Sequence, residues 1–239
     1  MSVAQSQPFV PHLAEATTAA EVVAWTYRHF AAESVVITSA FGMEGCLLLD
    51  LLARLDRPLT VHFADTGFLF PETHALRRRL AARYPNLSLV AVEPALSPEA
   101  QASAHGPALW SRDPDRCCSL RKIEPLARVL MNATAWITAI RRTQSPARAA
   151  TPLIGWDRTF RVIKVAPLAN WSRRQVLDYV VEHDLPVNEL HSRGYPSIGC
   201  THCTKPVEGA PVDGYSRAGR WAGGEKTECG LHAAAEVAR

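Results

Sequence analysis

Residues 34–55 read SVVITSAFGMEGCLLLDLLARL, and this stretch decides the fold class. The β-branched, apolar run 34–41 predicts a buried strand, and the leucine-rich segment 46–55 predicts a helix. The turn between them, residues 40–45, contains two glycines. A strand, a turn and a helix in this order aim backbone N–H groups and the positive end of a helix dipole at an anion. The turn has neither a GxGxxG nor a Walker pattern, so an ordinary strand-to-helix turn is the competing interpretation.

The flanking segments repeat this alternation of strand and helix. Further strands are predicted at residues 59–65, 87–94 and 135–142. Helices are predicted to begin at the Thr18/Glu21 capping box, at Pro71 and at the Ser172/Gln175 capping box. Residues 93–116 lack periodicity and are predicted to form a long mobile or functional loop. The pattern predicts an α/β fold with a doubly wound, mainly parallel sheet.

Three polar features follow successive predicted strands. They are the turn around Gly42, the sequence Asp65-Thr66-Gly67, and the pair Arg141-Arg142. Ligands of doubly wound sheets bind beyond the carboxyl ends of the strands, where all three features would emerge. A backbone-rich turn, a carboxylate and two guanidinium groups together predict a site for a nucleotide-like anion.

Composition excludes several classes of protein. Hydrophobic residues make up 47% of the 239 residues and charged residues 21%, which argues against wholesale disorder. The formal charge of +3 is too small for a general nucleic-acid coat. No apolar run approaches the roughly 20 residues that span a bilayer, and the N-terminus lacks the pattern of a secretory leader. We therefore expect a cytoplasmic protein that binds neither membranes nor nucleic acids.

Six cysteines are the most informative part of the composition. Cys117 and Cys118 are adjacent, and Cys200 and Cys203 form a C-x-x-C pair, so the four thiols predict a site for zinc or an iron–sulfur cluster. Adjacent cysteines reach one small ion with difficulty but can each bind a separate iron, which favours a 4Fe–4S cluster. Four free buried thiols are the alternative. Cys46 opens the leucine-rich helix and is predicted to be a small buried hydrophobic residue.

Cys229 lies apart from the other cysteines in the sequence. Arg217, Arg220, Lys226 and His232 are close to it along the chain, and nearby cations lower the pKa of a thiol. The residue is therefore a candidate nucleophile, although its spacing is equally compatible with an inert thiol.

The sequence after residue 186 is rich in Gly and Pro and has little helical or strand periodicity. We predict an α/β domain over residues 1–205, which includes the four clustered cysteines. Residues 206–239 are predicted to be an irregular, flexible C-terminal segment that carries Cys229.

Several motifs together resemble the assimilatory sulfonucleotide reductases, in their iron–sulfur, adenylyl-sulfate branch. The resemblance extends over residues 35–232 and is carried by TSAFGMEG, FADTGFLFPET, CCSLRKIEPL, AIRRTQS, the run from WSRRQVLDYVVEH to SIGCTHCT, RAGRW and KTECGLH. It implies the adenine-nucleotide α-hydrolase-like, or PP-loop, fold. It also implies a 4Fe–4S cluster on Cys117, Cys118, Cys200 and Cys203.

The resemblance implies a reaction as well. The thiolate of Cys229 would attack the sulfur of adenosine 5′-phosphosulfate, expel AMP and become an S-sulfocysteine, from which thioredoxin or glutaredoxin would release sulfite. This is a step of sulfate assimilation that leads to cysteine. Residues implied to bind the substrate are Ser39, Phe41, Gly42, Asp65, Thr66, Gly67, Lys122, Arg141, Arg142, Arg217 and Arg220. The family resemblance is compatible with a homo-oligomer.

Two departures and three alternatives stand beside this interpretation. The turn reads SAFGMEG where ATP-using relatives have an SGGxDS-like loop, which fits a ligand other than ATP. The chain ends at Arg239, so we expect the reductant to be a separate protein. The alternatives are a reductase of the 3′-phosphorylated substrate or of both substrates, a PP-loop protein that binds or thiolates RNA, and a zinc-stabilised binding module.

Overall fold

The computed structural model describes residues 13–209, 217, 219–221, 224 and 226–232. Residues 1–12 of the predicted α/β domain lie outside this set, as do residues 210–216, 218, 222, 223, 225 and 233–239 of the predicted C-terminal segment. Six strands form one sheet: β1 Val35–Thr38, β2 Leu59–Ala64, β3 Leu87–Val92, β4 Ala135–Thr138, β5 Ile154–Asp157 and β6 Val162–Val165.

The strand order is β3-β2-β1-β4-β6-β5, and all neighbours are parallel except β5 and β6. Strand β1 lies at the centre, where Ile37 pairs with Val61 on one side and Ile137 on the other. Because the connections run outward in both directions from β1, the polypeptide leaves a crevice at the carboxyl ends of the central strands. The predicted doubly wound, mainly parallel α/β sheet is confirmed.

Eight α-helices occur in the described part of the chain: α1 Ala19–His29, α2 Met43–Ala53, α3 Pro71–Arg83, α4 Pro98–His105, α5 Leu109–Arg112, α6 Pro114–Cys118, α7 Glu124–Leu130 and α8 Arg173–Glu182. The two predicted capping boxes form at the starts of α1 and α8, and Pro71 occupies the first turn of α3. None of the described helices is long and apolar enough to cross a bilayer.

Hydrophobic side chains cover both faces of the sheet. Ile37 of β1 packs into the larger core with residues of α1, α2 and α3, whereas its neighbour Val36 packs with Leu130 of α7 and with Trp136. Successive side chains of a strand point to opposite faces, so a strand that is buried throughout, such as β1, must be covered on both sides.

The prediction of one long loop over residues 93–116 is wrong. The segment contains helices α4 and α5 and the start of α6. Ser97 Oγ accepts a hydrogen bond from the Ala100 N–H at the start of α4, and Asp113 caps α6 in the same way through the Arg116 N–H. Each helix is at most eight residues long, too short to produce a helical period in the sequence.

Strand β5 was not predicted either. It is an antiparallel edge strand that pairs with β6 along Ile154–Asp157. The four predicted strands correspond to β1–β4, and the four-residue β5 has no alternating pattern of its own from which it could be predicted.

Candidate active site

The turn between β1 and α2 has a fixed conformation. Phe41 adopts φ +55°, and its N–H donates to Ser39 Oγ at 3.1 Å. Gly42 caps α2, which begins at Met43, three residues before the predicted start. A Cβ on Gly45 would lie 2.6 Å from Ser39 Oγ, so this close approach requires glycine. The turn thus delivers the N-terminus of α2 to the crevice.

A cavity of about 210 Å³ occupies the crevice at the carboxyl ends of β1, β2 and β4. Eight of the predicted site residues line it: Ser39, Phe41, Gly42, Thr66, Lys122, Arg217, Arg220 and Cys229. Asp65, Gly67, Arg141 and Arg142 lie outside this lining.

The C-terminal segment closes one side of the cavity. Cys229, Leu231 and His232 are part of its wall. The His232 ring stacks on Trp136 with centroids 5.2 Å apart. Gly230 adopts φ +88°, and a Cβ there would lie 2.8 Å from Ile123 Cδ1. The chain therefore turns tightly against the α/β domain immediately after Cys229.

Cys229 lies among positive charges. Burial alone would raise the pKa of its thiol, but Lys122, the Leu231 N–H, Arg220 and Arg148 together hold that pKa below the ordinary value. Burial and the charge of Arg220 would lower the pKa of Lys122, but the negative charges of ionised Cys200, Cys229 and Cys118 outweigh them and raise it. The surroundings favour a thiolate at Cys229 and an ammonium at Lys122.

His232 is close to Cys229, as its position in the sequence suggests, but it is not one of the positive charges there. Burial, together with the charges of Arg148, Lys164 and Arg217, holds its pKa well below the ordinary value. The imidazole is therefore neutral at neutral pH and contributes to the stacking on Trp136 rather than to the positive charge of the cavity.

Arg217 and Arg220 flank the Trp221 ring, with their guanidinium carbons 5.5 and 4.5 Å from its centroid. Arg217 Nε donates to the Thr227 carbonyl oxygen at 2.9 Å, and Arg220 Nε donates to the Cys203 carbonyl oxygen at 3.3 Å. These contacts connect the C-terminal segment to itself and to the C-x-x-C pair.

Arg141 and Arg142 are engaged elsewhere. Arg141 is fully buried, and its Nε and Nη2 each lie 2.9 Å from Glu44 Oε1. Arg142 forms a bidentate pair with Glu15 at 2.7 and 2.9 Å. Asp65 accepts the Gly67 N–H at 3.2 Å and thereby closes a turn. The structure gives these residues contacts that stabilise the fold.

Sequence reasoning missed Arg148, which lines the cavity from a 3₁₀ turn after β4. It also missed Trp136, Arg173 and His191 in the wall. Arg148 follows Arg142 by six residues in an irregular segment, so no periodicity identifies it. Its position near the end of a central strand was the available signal.

The four clustered cysteines line a second, smaller cavity, together with Phe68, Trp110, Pro114, Arg121, Lys122 and His202. Cys117 and Cys118 end α6, and Cys200 precedes the 3₁₀ turn Thr201–Cys203. All six cysteines of the chain are free thiols. Cys46 is fully buried as predicted, and burial raises its pKa to about 12.

The C-x-x-C segment is tied to the turn after β2. The Thr201 N–H donates to the Phe68 carbonyl oxygen at 2.8 Å, and the Thr66 hydroxyl lies 3.3 Å from Cys200 Sγ. Arg121 Nη1 donates to the Thr66 carbonyl oxygen at 2.8 Å. Thr66 thus touches the cysteine cavity while also lining the larger one, and Lys122 lines both.

The small cavity offers four thiol groups as possible metal donors. Among the described residues, no group of three or more His, Cys, Asp or Glu side chains is arranged to hold a single metal ion. Burial, followed by the proximity of Cys200 and Cys203, raises the pKa of Cys117, and burial raises the pKa of Cys118 to about 11. Thiols that disfavour one another's ionisation are stabilised as thiolates by iron.

The chain is similar to proteins of one known family over most of its length. Residues 34–206 match the profile of the family described as the phosphoadenosine phosphosulfate reductase domain. A protein of Staphylococcus saprophyticus named adenosine 5′-phosphosulfate reductase is 46% identical over 218 residues, which cover 91% of this chain and 88% of that protein. A protein of Geobacillus kaustophilus with the same name is 46% identical over 228 residues, or 95% of each chain.

Solved structures give the same picture of the fold. The crystal structure of phosphoadenylyl-sulfate reductase from Candida auris, a phosphate complex, superposes with a TM-score of 0.68 at 33% identity and covers 80% of this chain and 91% of its own. FMN adenylyltransferase from Candida glabrata in complex with ATP reaches 0.56 at 17% identity, covering 81% of this chain and 65% of its own, which is a likeness of fold alone.

Proposed function

Because this chain belongs to the phosphoadenosine phosphosulfate reductase domain family, we propose that it reduces adenosine 5′-phosphosulfate to sulfite and AMP with electrons from a dithiol protein of the thioredoxin class. The observation that carries the proposal is the position of Cys229, a thiol with a lowered pKa in the wall of a cation-rich cavity at the carboxyl ends of the strands. The names of the two relatives support the choice of substrate.

In the first half-reaction the Cys229 thiolate attacks the sulfate sulfur. A bond forms between Sγ and that sulfur, and the bond from sulfur to the bridging oxygen breaks. The electron pair stays on the bridging oxygen, so AMP leaves and Cys229 carries an S-sulfo group. Lys122, Arg148, Arg217 and Arg220 line the cavity and supply positive charge for the phosphosulfate.

In the second half-reaction a thiolate of the dithiol protein attacks Cys229 Sγ. Sulfite leaves with the electron pair of the sulfur–sulfur bond, and a mixed disulfide remains. The second thiol of the reductant resolves this disulfide and regenerates the Cys229 thiol. One dithiol is oxidised for each sulfate group reduced to sulfite, so the electrons balance.

Cys117, Cys118, Cys200 and Cys203 would hold a 4Fe–4S cluster. Four thiol groups around one cavity with aromatic walls match its donor set. When bound, the cluster supplies a concentrated charge close to the substrate cavity. Lys122 lines both cavities, and Thr66 lines the larger one with its hydroxyl 3.3 Å from Cys200 Sγ, so this charge would act on bound substrate through these two residues.

The test is anaerobic sulfite release from each of the two sulfonucleotides, with and without thioredoxin. We expect release from adenosine 5′-phosphosulfate that depends on thioredoxin. Faster release from the 3′-phosphorylated compound would identify that compound as the substrate instead. The similarity to the Candida auris phosphoadenylyl-sulfate reductase is the observation that favours this second candidate. No release from either compound would refute the reductase activity.

A further inference from the structure

Glu228, the residue before Cys229, forms two ion pairs and a hydrogen bond to which the proposed reaction assigns no role. Its Oε1 accepts the Ser145 hydroxyl hydrogen at 2.7 Å. Its Oε2 lies 2.9 Å from Arg148 Nη2 and 3.5 Å from Arg217 Nη2. The side chain is 14% exposed, so these contacts are largely shielded from solvent.

The charge of Glu228 is maintained by its partners. Burial alone would raise the pKa of this carboxyl group, but Arg148, Ser145 and Arg217 hold it below the ordinary value. Charge-assisted hydrogen bonds are roughly twice as strong as neutral ones, and shielding from water strengthens them further.

These contacts join two parts of the chain that are distant in sequence. Arg148 ends the 3₁₀ turn Pro146–Arg148 in the segment after β4, and Ser145 immediately precedes that turn. Arg217 belongs to the C-terminal segment and also donates to the Thr227 carbonyl oxygen, next to Glu228. One carboxylate thus fixes the backbone beside Cys229 to the sheet.

Two of the three partners of Glu228 also face the substrate cavity. Arg148 and Arg217 both line it, and Arg148 Nε is buried without a hydrogen-bond partner among the described residues. A carboxylate that binds one edge of a guanidinium group orients its remaining N–H groups. Glu228 is therefore placed to set the position of the nucleophile and of two arginines at once.

We propose that Glu228 is a positioning residue for sulfur transfer: its ion pairs with Arg148 and Arg217 and its hydrogen bond with Ser145 hold Cys229 against the cavity. This inference rests on the proposed function. The competing role is that of an internal anion, which would occupy the arginines until the substrate displaces it. The two roles predict opposite kinetic effects.

The test compares Glu228→Gln with wild type and with Glu189→Gln, an exposed control whose partners are Arg79 and Arg193. Single-turnover formation of S-sulfocysteine is measured at varied substrate concentration on iron-replete protein. We expect the Glu228→Gln rate at saturation to fall about tenfold to a hundredfold while the half-saturating concentration changes less than about twofold. Hydrogen exchange of residues 226–232 should accelerate in the same variant.

A fall in the half-saturating concentration with an unchanged rate at saturation would replace positioning by the internal-anion role. A rate at saturation and a half-saturating concentration equal to those of wild type would also overturn the proposal.

Ser145→Ala keeps the inference testable if Glu228→Gln folds poorly. It removes one hydrogen bond to Glu228 and should lower the rate at saturation by about threefold to tenfold. Absence of turnover in wild type would instead refute the proposed function, whereas active wild type with unaffected variants refutes the role of Glu228 alone.

Discussion

The Cys229 thiol is the group that must form and break the sulfur–sulfur bond. Replacing it with serine should lower sulfite formation about a thousandfold or more, because a hydroxyl is a far weaker nucleophile at neutral pH. Nucleotide binding and visible colour should persist. Cys46→Ala is the matched control, since Cys46 is fully buried in the apolar core, and it should retain turnover. Turnover by Cys229→Ser would assign the attack to another group.

Lys122 should control the pH dependence of that thiol. Because Lys122 and Arg220 lower the pKa of Cys229, the thiolate persists to lower pH than in an ordinary cysteine. Replacing Lys122 with glutamine raises the pKa, so the rate of Cys229 alkylation by iodoacetamide should rise at higher pH than in wild type. Peptide mapping of the alkylated protein gives the profile. The exposed control Lys205→Gln should leave the profile in place, and an unshifted Lys122→Gln profile would contradict the assignment.

Variants of Arg148 and Arg142 test whether the sequence or the structure identifies the arginine that binds the substrate. The sequence favours Arg142, but the structure places Arg148 in the cavity wall and pairs Arg142 with the exposed Glu15. Arg148→Gln should lower kcat/KM about tenfold to a hundredfold, whereas Arg142→Gln should change it less than about twofold. Steady-state kinetics of both variants decide between the two arginines.

At the level of elements, the turn at Gly230 should decide whether the C-terminal segment docks. Gly230→Ala introduces strain at φ +88° and a Cβ 2.8 Å from Ile123 Cδ1. Gly209→Ala has comparable strain at φ +66° but meets no atom within 4 Å. Both changes cost about 1 kcal/mol of backbone strain. Only Gly230→Ala should slow the single-turnover reaction; equal rates in the two variants would show that docking does not depend on this turn.

The elements predicted correctly are those with long apolar or capped patterns. Strand β1 and helix α2 were identifiable because their residues are buried almost throughout, and α1 and α8 were identifiable from their capping boxes. Helices α4 and α6 have eight and five residues and begin at side-chain caps, whereas the four-residue α5 has no side-chain cap. A local pattern cannot reveal such elements. The caps themselves, Ser97-Pro98 and Asp113-Pro114, were visible in the sequence.

The candidate site was predictable in part for the same reason. Ser39 follows β1 directly and Thr66 lies two residues after β2, and both line the cavity. Arg141 follows β4 too, yet it turns away because Glu44, in the first turn of α2, binds it. Which of several nearby arginines faces a cavity depends on such tertiary pairs, which the sequence does not display.

Across the whole molecule, the cysteine cavity and the substrate cavity should be mechanically linked. Thr204 and Arg220 form a bridge, and the Trp221 N–H donates to the Cys203 carbonyl oxygen at 3.1 Å. Loss of iron from the proposed cluster should therefore loosen residues 219–221 and 226–232 while the central strands stay protected. We expect faster hydrogen exchange in that segment and a fall in Tm of at least about 5 °C.

The comparison is between iron-replete protein and protein depleted with a chelator under anaerobic conditions, with a mock-treated sample as control. Identical exchange in residues 219–232 before and after depletion would contradict the link. A colourless protein as purified anaerobically, with one zinc per chain, would contradict the cluster itself.

Cys229 is partly exposed and lies in the wall of the substrate cavity, and this location constrains the order of events in time. A nucleotide that fills the cavity occupies the side from which Cys229 lines it, so we expect a protein-sized reductant to attack the sulfur only after the nucleotide has left. One sulfur atom must therefore serve two reaction partners in alternation. Double-reciprocal plots of initial velocity should give parallel lines when either substrate is varied, which is the pattern of a ping-pong mechanism. The S-sulfocysteine form of the enzyme should be stable enough to isolate before the reductant is added.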